Sequence, residues 1–198
     1  ARNGMWGTIV GPTLTGKTLG LLGLGHIGKL VAQVGIAFGM NIIAWSENLT
    51  QQIARQNGVK YVDKKTLFTD SDVLSVHLKL SERTRGMISE KEISLMKSSS
   101  YLINTSRGPI IDEKSLIDAL NTLKISGAAI DTFDTEPLPI DHPLFSTPNT
   151  IITPHIGYVT KEAYEIYTQG IIENVLAFLN HNPKRVLNPA VLKEFFSK

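Results

Sequence analysis

Cysteine is absent from these 198 residues. Its absence excludes disulfides and thiolate metal sites and fits a reducing cytoplasm, the setting expected for this chain. No apolar run approaches the ~18 residues that a membrane span needs, and no signal-peptide pattern is read at the start. Neither sign of charge dominates. Twenty Lys and Arg stand against 18 Asp and Glu, a formal net charge of +2, with no basic run. Nucleic-acid binding thus lacks its electrostatic footprint. No His, Asp and Glu cluster has metal-ligand spacing, so no metal is expected. Internal repeats and low-complexity segments are also missing. What the chain does have is 42% hydrophobic residues, enough for one substantial core.

The most informative stretch is Leu19 to Gly28, where Gly23, Gly25 and Gly28 form a G-x-G-x-x-G. An apolar run, Thr18–Leu24, precedes it and a helical pattern, Ile27–Phe38, follows. In that context the first glycine permits a tight turn and the second lets a pyrophosphate approach the backbone. The third lets the helix pack closely on the strand. The helix N-terminus then offers N–H groups and partial positive charge to phosphates.

Short apolar strands alternate with amphipathic helices, which predicts a Rossmann-type α/β fold: a doubly wound parallel sheet with helices on both faces. Strands are expected at Thr18–Leu24, Asn41–Trp45, Lys60–Val62, Val73–His77, Ser100–Asn104, Ser126–Ile130 and Thr150–Thr153. Helices are expected at Ile27–Phe38, Thr50–Asn57, Lys64–Thr69, Ser89–Leu95, Asp112–Thr122 and Lys161–Leu179. Asp112 reads as an N-cap and Gly58 as a helix stop. Pro137–Pro148 reads as a loop, and His142 and His181 as surface residues.

An acidic residue is expected about 20 positions past the glycines, where it would hold the adenosine ribose. Ser46 stands there, 18 residues past Gly28. A serine neither chelates two ribose hydroxyls nor repels a 2′-phosphate. No cation follows until Arg55, so the partner expected for a 2′-phosphate is missing too. NAD and NADP both stay open.

Five segments now fall into place: Gly16 to Gly28; Val76-His77-Leu78 with Thr84-Arg85-Gly86; Asn104-Thr105-Ser106-Arg107-Gly108-Pro109; Asp131-Thr132-Phe133-Asp134-Thr135-Glu136-Pro137; and Thr153-Pro154-His155-Ile156-Gly157. In this order they resemble the nucleotide-binding domain of the D-isomer-specific 2-hydroxyacid dehydrogenases, the phosphoglycerate dehydrogenase-like family. The resemblance implies an oxidoreductase with catalytic Arg107, Glu136 and His155. It implies cofactor contacts from Gly23, Gly25, His26, Ile27, Gly28, Ser46, His77, Leu78, Thr84, Thr105, Ser106, Arg107, Asp131, His155 and Gly157. His26 would act through its backbone, and Asp131 would face the nicotinamide carboxamide. Lys79 departs from the family, which often has proline there.

The chemistry of these residues supports the roles. Reduction of a 2-keto acid needs a proton donor at the carbonyl oxygen, and imidazole titrates near neutral pH. Glu136 can orient His155 through the other ring nitrogen. Arg107 can grip a carboxylate with two parallel hydrogen bonds. Singly, each has a plainer reading: a loop histidine, a solvated turn residue, a surface charge. Jointly, at strand carboxyl ends, they point to a site.

The resemblance also implies a homodimer, a 2-keto or 2-hydroxy acid substrate, and a separate substrate domain largely outside this chain. The expected division is a cofactor-binding domain over 1–182 and a tail, 183–198, returning toward that substrate domain. The first residues read as the end of an upstream segment. Two other readings stand beside the main one. A formate dehydrogenase-like enzyme would have glutamine at the Glu136 position, so Glu136 opposes it. A non-enzymatic NAD(H)-sensing co-repressor would keep the same trio.

Overall fold

The computed structural model describes residues 2–4, 6–7 and 10–192. The last six residues of the expected tail, 193–198, lie outside the described residues. The chain divides into two compact units, Ala1–His155 and Ile156–Lys198.

The first unit is built on seven parallel strands: β1 (Thr18–Leu22), β2 (Asn41–Trp45), β3 (Lys60–Tyr61), β4 (Val73–Val76), β5 (Tyr101–Asn104), β6 (Gly127–Ile130) and β7 (Thr150–Ile152). Their spatial order is β3-β2-β1-β4-β5-β6-β7. Five helices connect them: α1 (His26–Ala37), α2 (Gln51–Gln56), α3 (Lys64–Asp70), α4 (Glu90–Leu95) and α5 (Glu113–Asn121). The chain winds outward from β1 through β2 to β3, then crosses back to β4 beside β1. That reversal opens a crevice at the carboxyl ends of β1 and β4, where ligands of open α/β sheets bind.

Strand periodicity explains the two cores. Leu19 and Leu21 of β1, with Ile42 and Ala44 of β2, pack with Ala32 and Ala54 on one face. Leu22 and Ile43 point the other way, among Leu67, Phe68, Leu74 and Leu102. Parallel strands need both faces covered, and these read as apolar runs rather than alternations. The buried leucines lose essentially all solvent contact, each contributing about 1.5–3 kcal/mol.

Polar side chains fix the helix starts. Asp112 accepts a hydrogen bond from Ser115 N–H at 2.8 Å, and Asp63 does the same for Thr66 at 2.9 Å. Gly58 has φ +69°, which ends α2 as the sequence implies. The second unit contains α6 (Lys161–Leu179), capped by Thr160. Beyond it Arg185 turns back onto the helix, 2.7 Å from Glu173 and 2.9 Å from Asn174.

Candidate functional site

The glycine-rich turn divides its labour. β1 ends at Leu22 because Gly23 adopts φ +106°, which side chains other than glycine rarely tolerate. A Cβ there would lie 2.6 Å from the His77 carbonyl oxygen, and one on Gly28 would meet the Gly23 carbonyl oxygen. These two glycines are demanded by packing. Gly25 is different: nothing lies within 4 Å of where its Cβ would stand. It is the N-cap of α1, with no side-chain cap and no acidic residue in the first turn. The first N–H groups and the positive end of the helix dipole therefore face open space, an arrangement that fits a pyrophosphate.

On either side of this turn the backbone is pinned to its neighbours. Gly23 N–H donates to Trp45 of β2 at 2.9 Å, and His77 N–H donates to Leu22 at 2.8 Å. Ser46 follows β2 directly and is half-buried. His77 follows β4; its Nε2 lies 2.9 Å from the hydroxyl of buried Ser75. Burial pushes the His77 imidazole below its usual value, so it is neutral near pH 7. His77, Leu78, Thr105, Ser106, Arg107 and Ile27 line one cavity of about 430 Å³, joining the glycine turn to the ends of β4 and β5.

The β5 loop owes its shape to Asn104, a residue to which the sequence alone gives no role. Asn104 is 1% exposed. Its Oδ1 accepts from Ser106 N–H at 3.0 Å, and its Nδ2 donates to the Arg107 carbonyl at 2.9 Å. The Ser106 hydroxyl donates to the Leu78 carbonyl, tying this loop to the β4 loop. Gly108 is required next, since a Cβ there would strike the Phe133 carbonyl. The available signal was an Asn closing a strand just before a polar loop, a position from which Asn bonds nearby backbone.

Thr84 does not line the cavity. Its hydroxyl accepts from Ser81 N–H at 2.8 Å and donates to the Lys79 carbonyl at 2.8 Å, closing the loop behind the wall. His26 is exposed at the start of α1. Asp131 follows β6, is 4% exposed, and accepts from the Thr153 hydroxyl at 2.5 Å. Gly157 belongs to the second unit. His142, read as a surface histidine, is instead half-buried: its Nε2 lies 3.0 Å from Glu113 and its Nδ1 accepts from Leu144 N–H. The loop folds back over α5, a tertiary contact with no local sequence signal.

His155 and Glu136 meet although 19 residues separate them. Nδ1 of His155 lies 2.7 Å from Oε2 of Glu136. The other carboxylate oxygen accepts from Phe133 N–H at 2.9 Å. The hydrogen bond from His155 is the main cause holding the Glu136 carboxyl below its usual value; burial opposes it, and Phe133 N–H and the charges of His155 and Arg107 assist. A carboxylate at Nδ1 fixes the neutral tautomer with hydrogen on Nδ1 and the lone pair on Nε2. His155 holds φ +53°, rare for a residue with a side chain. Both residues border a second, more apolar cavity of about 860 Å³, walled by Phe133, Leu138, Phe145 and Ile152. The set is a cation, a carboxylate and an oriented imidazole, which can hold an anionic substrate and move one proton. Among the described residues no group of His, Asp and Glu could hold a metal ion, and no helix is long and apolar enough to cross a membrane.

Comparison with known proteins bears on the same residues. Residues 1–157 match the family model described as D-isomer specific 2-hydroxyacid dehydrogenase, NAD binding domain. A glyoxylate reductase from Aeropyrum pernix is 40% identical over 186 residues, covering 93% of this chain and 56% of that protein. A crystal structure of a putative D-3-phosphoglycerate dehydrogenase from Ralstonia solanacearum superposes with a TM-score of 0.87 at 43% identity, covering 92% of this chain and 54% of that one. An acyclic imino acid reductase solved with NADPH and D-Arg superposes at 0.76 with 32% identity, covering 94% of this chain and 59% of that one. The chain spans about half the length of the curated relatives it matches.

Proposed function

The chain belongs to the D-isomer specific 2-hydroxyacid dehydrogenase family, whose NAD-binding domain it matches, and on that premise we propose that it is the cofactor-binding part of an oxidoreductase. The reaction moves a hydride between a nicotinamide cofactor and a small D-2-hydroxy acid or 2-keto acid. The observation that carries this reading is the His155–Glu136 pair, 2.7 Å apart at the carboxyl end of the sheet. Gly25 and the start of α1 hold the pyrophosphate, in a turn whose close packing requires Gly23 and Gly28. Ser46, His77, Leu78, Thr105, Ser106 and Asp131 complete the cofactor contacts, with Thr84 supporting the loop. The cofactor, NAD or NADP, supplies or accepts the hydride.

His155 then gives a proton from Nε2 to the carbonyl oxygen in reduction and takes it back in oxidation. Glu136 holds the ring in place and stabilises the imidazolium. Arg107 grips the substrate carboxylate. Relatives named glyoxylate reductase support a small keto acid. The reading extends to a cofactor domain over 1–182, a tail (183–198) directed to a substrate domain, a homodimer and a cytoplasmic setting.

The test is oxidation of NADH or NADPH with glyoxylate or hydroxypyruvate, in the protein together with the rest of the relatives' length. His155→Ala should lower turnover by at least about 100-fold while leaving cofactor affinity within about twofold. Unchanged turnover in the variant refutes the assignment.

A further inference from the structure

The cavity at the glycine turn carries charge that the proposed roles do not use. Lys79 lines it together with Ile27 and Arg107, and no carboxylate stands in its wall. Among the described residues the Lys79 ammonium has no ion-pair or hydrogen-bond partner. Its backbone, by contrast, is held from two sides. The Thr84 hydroxyl bonds the Lys79 carbonyl at 2.8 Å, and the Ser106 hydroxyl bonds the neighbouring Leu78 carbonyl. Neutral His77 adds no charge of its own. A fixed backbone therefore carries a long, unpaired cation at a cavity that begins at the uncapped end of α1. The register places the loop close to the turn: Val76 and Trp45 both stand level with Leu22, on opposite sides of β1. Adjacent strands lie about 4.8 Å apart, so the first residue past β4 is one strand spacing from the glycines. Lys79, two residues further along, lines the same cavity and carries its charge on a flexible four-carbon stem.

We infer that Lys79 is a phosphate-binding residue of the dinucleotide cleft, its ammonium pairing with a phosphate group of the bound nicotinamide cofactor. This rests on the cofactor-binding reading above. Two phosphates share the chemistry: the bridging pyrophosphate, present in NAD and NADP alike, and the 2′-phosphate, present in NADP alone. Either compensates for what β2 lacks, since Ser46 offers no carboxylate to the ribose and no cation to a 2′-phosphate.

The experiment is titration of this chain with NADH and with NADPH, as wild type, Lys79→Met and Lys79→Arg, following nicotinamide fluorescence at two salt concentrations. Loss of one charge-assisted contact weakens binding about tenfold. Lys79→Met should show that loss and a shallower salt dependence, and Lys79→Arg should restore most of the affinity. Equal loss for both cofactors assigns the bridging phosphates; loss confined to NADPH assigns the 2′-phosphate. Wild-type binding that Lys79→Met leaves unchanged overturns the inference and spares the cofactor reading. A folded wild type that binds neither cofactor overturns both. Because the Lys79 side chain is exposed, Lys79→Met should keep the wild-type melting temperature, so a loss of binding is not a loss of fold.

Discussion

Glu136 has both of its oxygens occupied, one by His155 and one by Phe133 N–H. Its carboxyl is held below the usual value, chiefly by the His155 hydrogen bond. The sign follows from linkage: a depressed folded value means that the pair stabilises above the ordinary carboxylate range and is lost as pH falls through the folded value. Carbon-detected NMR of the Glu136 carboxyl should give a midpoint below 4.5, the ordinary glutamate value, and His155→Ala should raise it. A midpoint at or above the ordinary value, or one indifferent to His155→Ala, would show that the pair does not form. At this scale the sequence was informative wherever chemistry is rare. An Arg, a Glu and a His in turn contexts after strands are few, and the structure sets His155 against Glu136. It was silent where the deciding contact is tertiary. Asn104 shapes the Arg107 loop through two backbone bonds, and Thr84 closes the loop that follows β4. Neither is visible in residue type alone.

The elements were legible because apolar runs and capping residues are local signals, and the departures have local causes. The first strand was expected to reach Leu24 but stops at Leu22, since Gly23 turns the chain at φ +106°. Thr50 and Ser89, counted into their helices by pattern, are N-caps with extended backbone, whereas Asp112 is the N-cap that the sequence implies. The short 3-10 turns at Gly108–Ile110 and Pro143–Ser146 carry no periodicity to read. Two predictions belong here. Ser89 N–H and hydroxyl both bond Glu92, at 3.1 and 2.6 Å, and Lys64 pairs with it at 2.9 Å. Burial opposes ionisation of Glu92, but these partners outweigh it and hold its carboxyl at about 2. Glu92→Gln should therefore cost about 1–2 kcal/mol at neutral pH, by urea unfolding. Because the folded value is depressed, that difference should vanish as pH falls from 4.5 toward about 2; a difference constant with pH would show that the charge is not what stabilises. Gly108→Ala places a methyl group on the Phe133 carbonyl. It should cost about 1–3 kcal/mol and move the Arg107 loop, seen as shifted amide resonances from Asn104 to Ile110. A variant with wild-type stability and spectrum would remove the close approach of the two loops from the account.

Across the molecule, strand order decides where the chemistry sits. The reversal between β3 and β4 opens the crevice, and the glycine turn, the β4 loop and the β5 loop all end there. Alternation of strands and helices predicted the parallel sheet, but the division of the chain into Ala1–His155 and Ile156–Lys198 depends on packing. No periodicity marks it, since α6 continues the same strand-then-helix rhythm. The three glycines concentrate the claim, because they differ in what they do: Gly23 and Gly28 serve the fold, whereas Gly25 leaves room for a ligand. The most direct measurement is titration of the wild-type chain and Gly25→Val with NADH, alongside the melting temperature of each. The expected result is saturable binding by the wild type with a melting temperature that rises with NADH. Gly25→Val should fold at nearly the wild-type temperature and bind at least about tenfold more weakly, its side chain standing where the pyrophosphate belongs. A folded wild type that binds no NADH, or a Gly25→Val chain that binds as well as wild type, would contradict the assignment of this turn as the dinucleotide site.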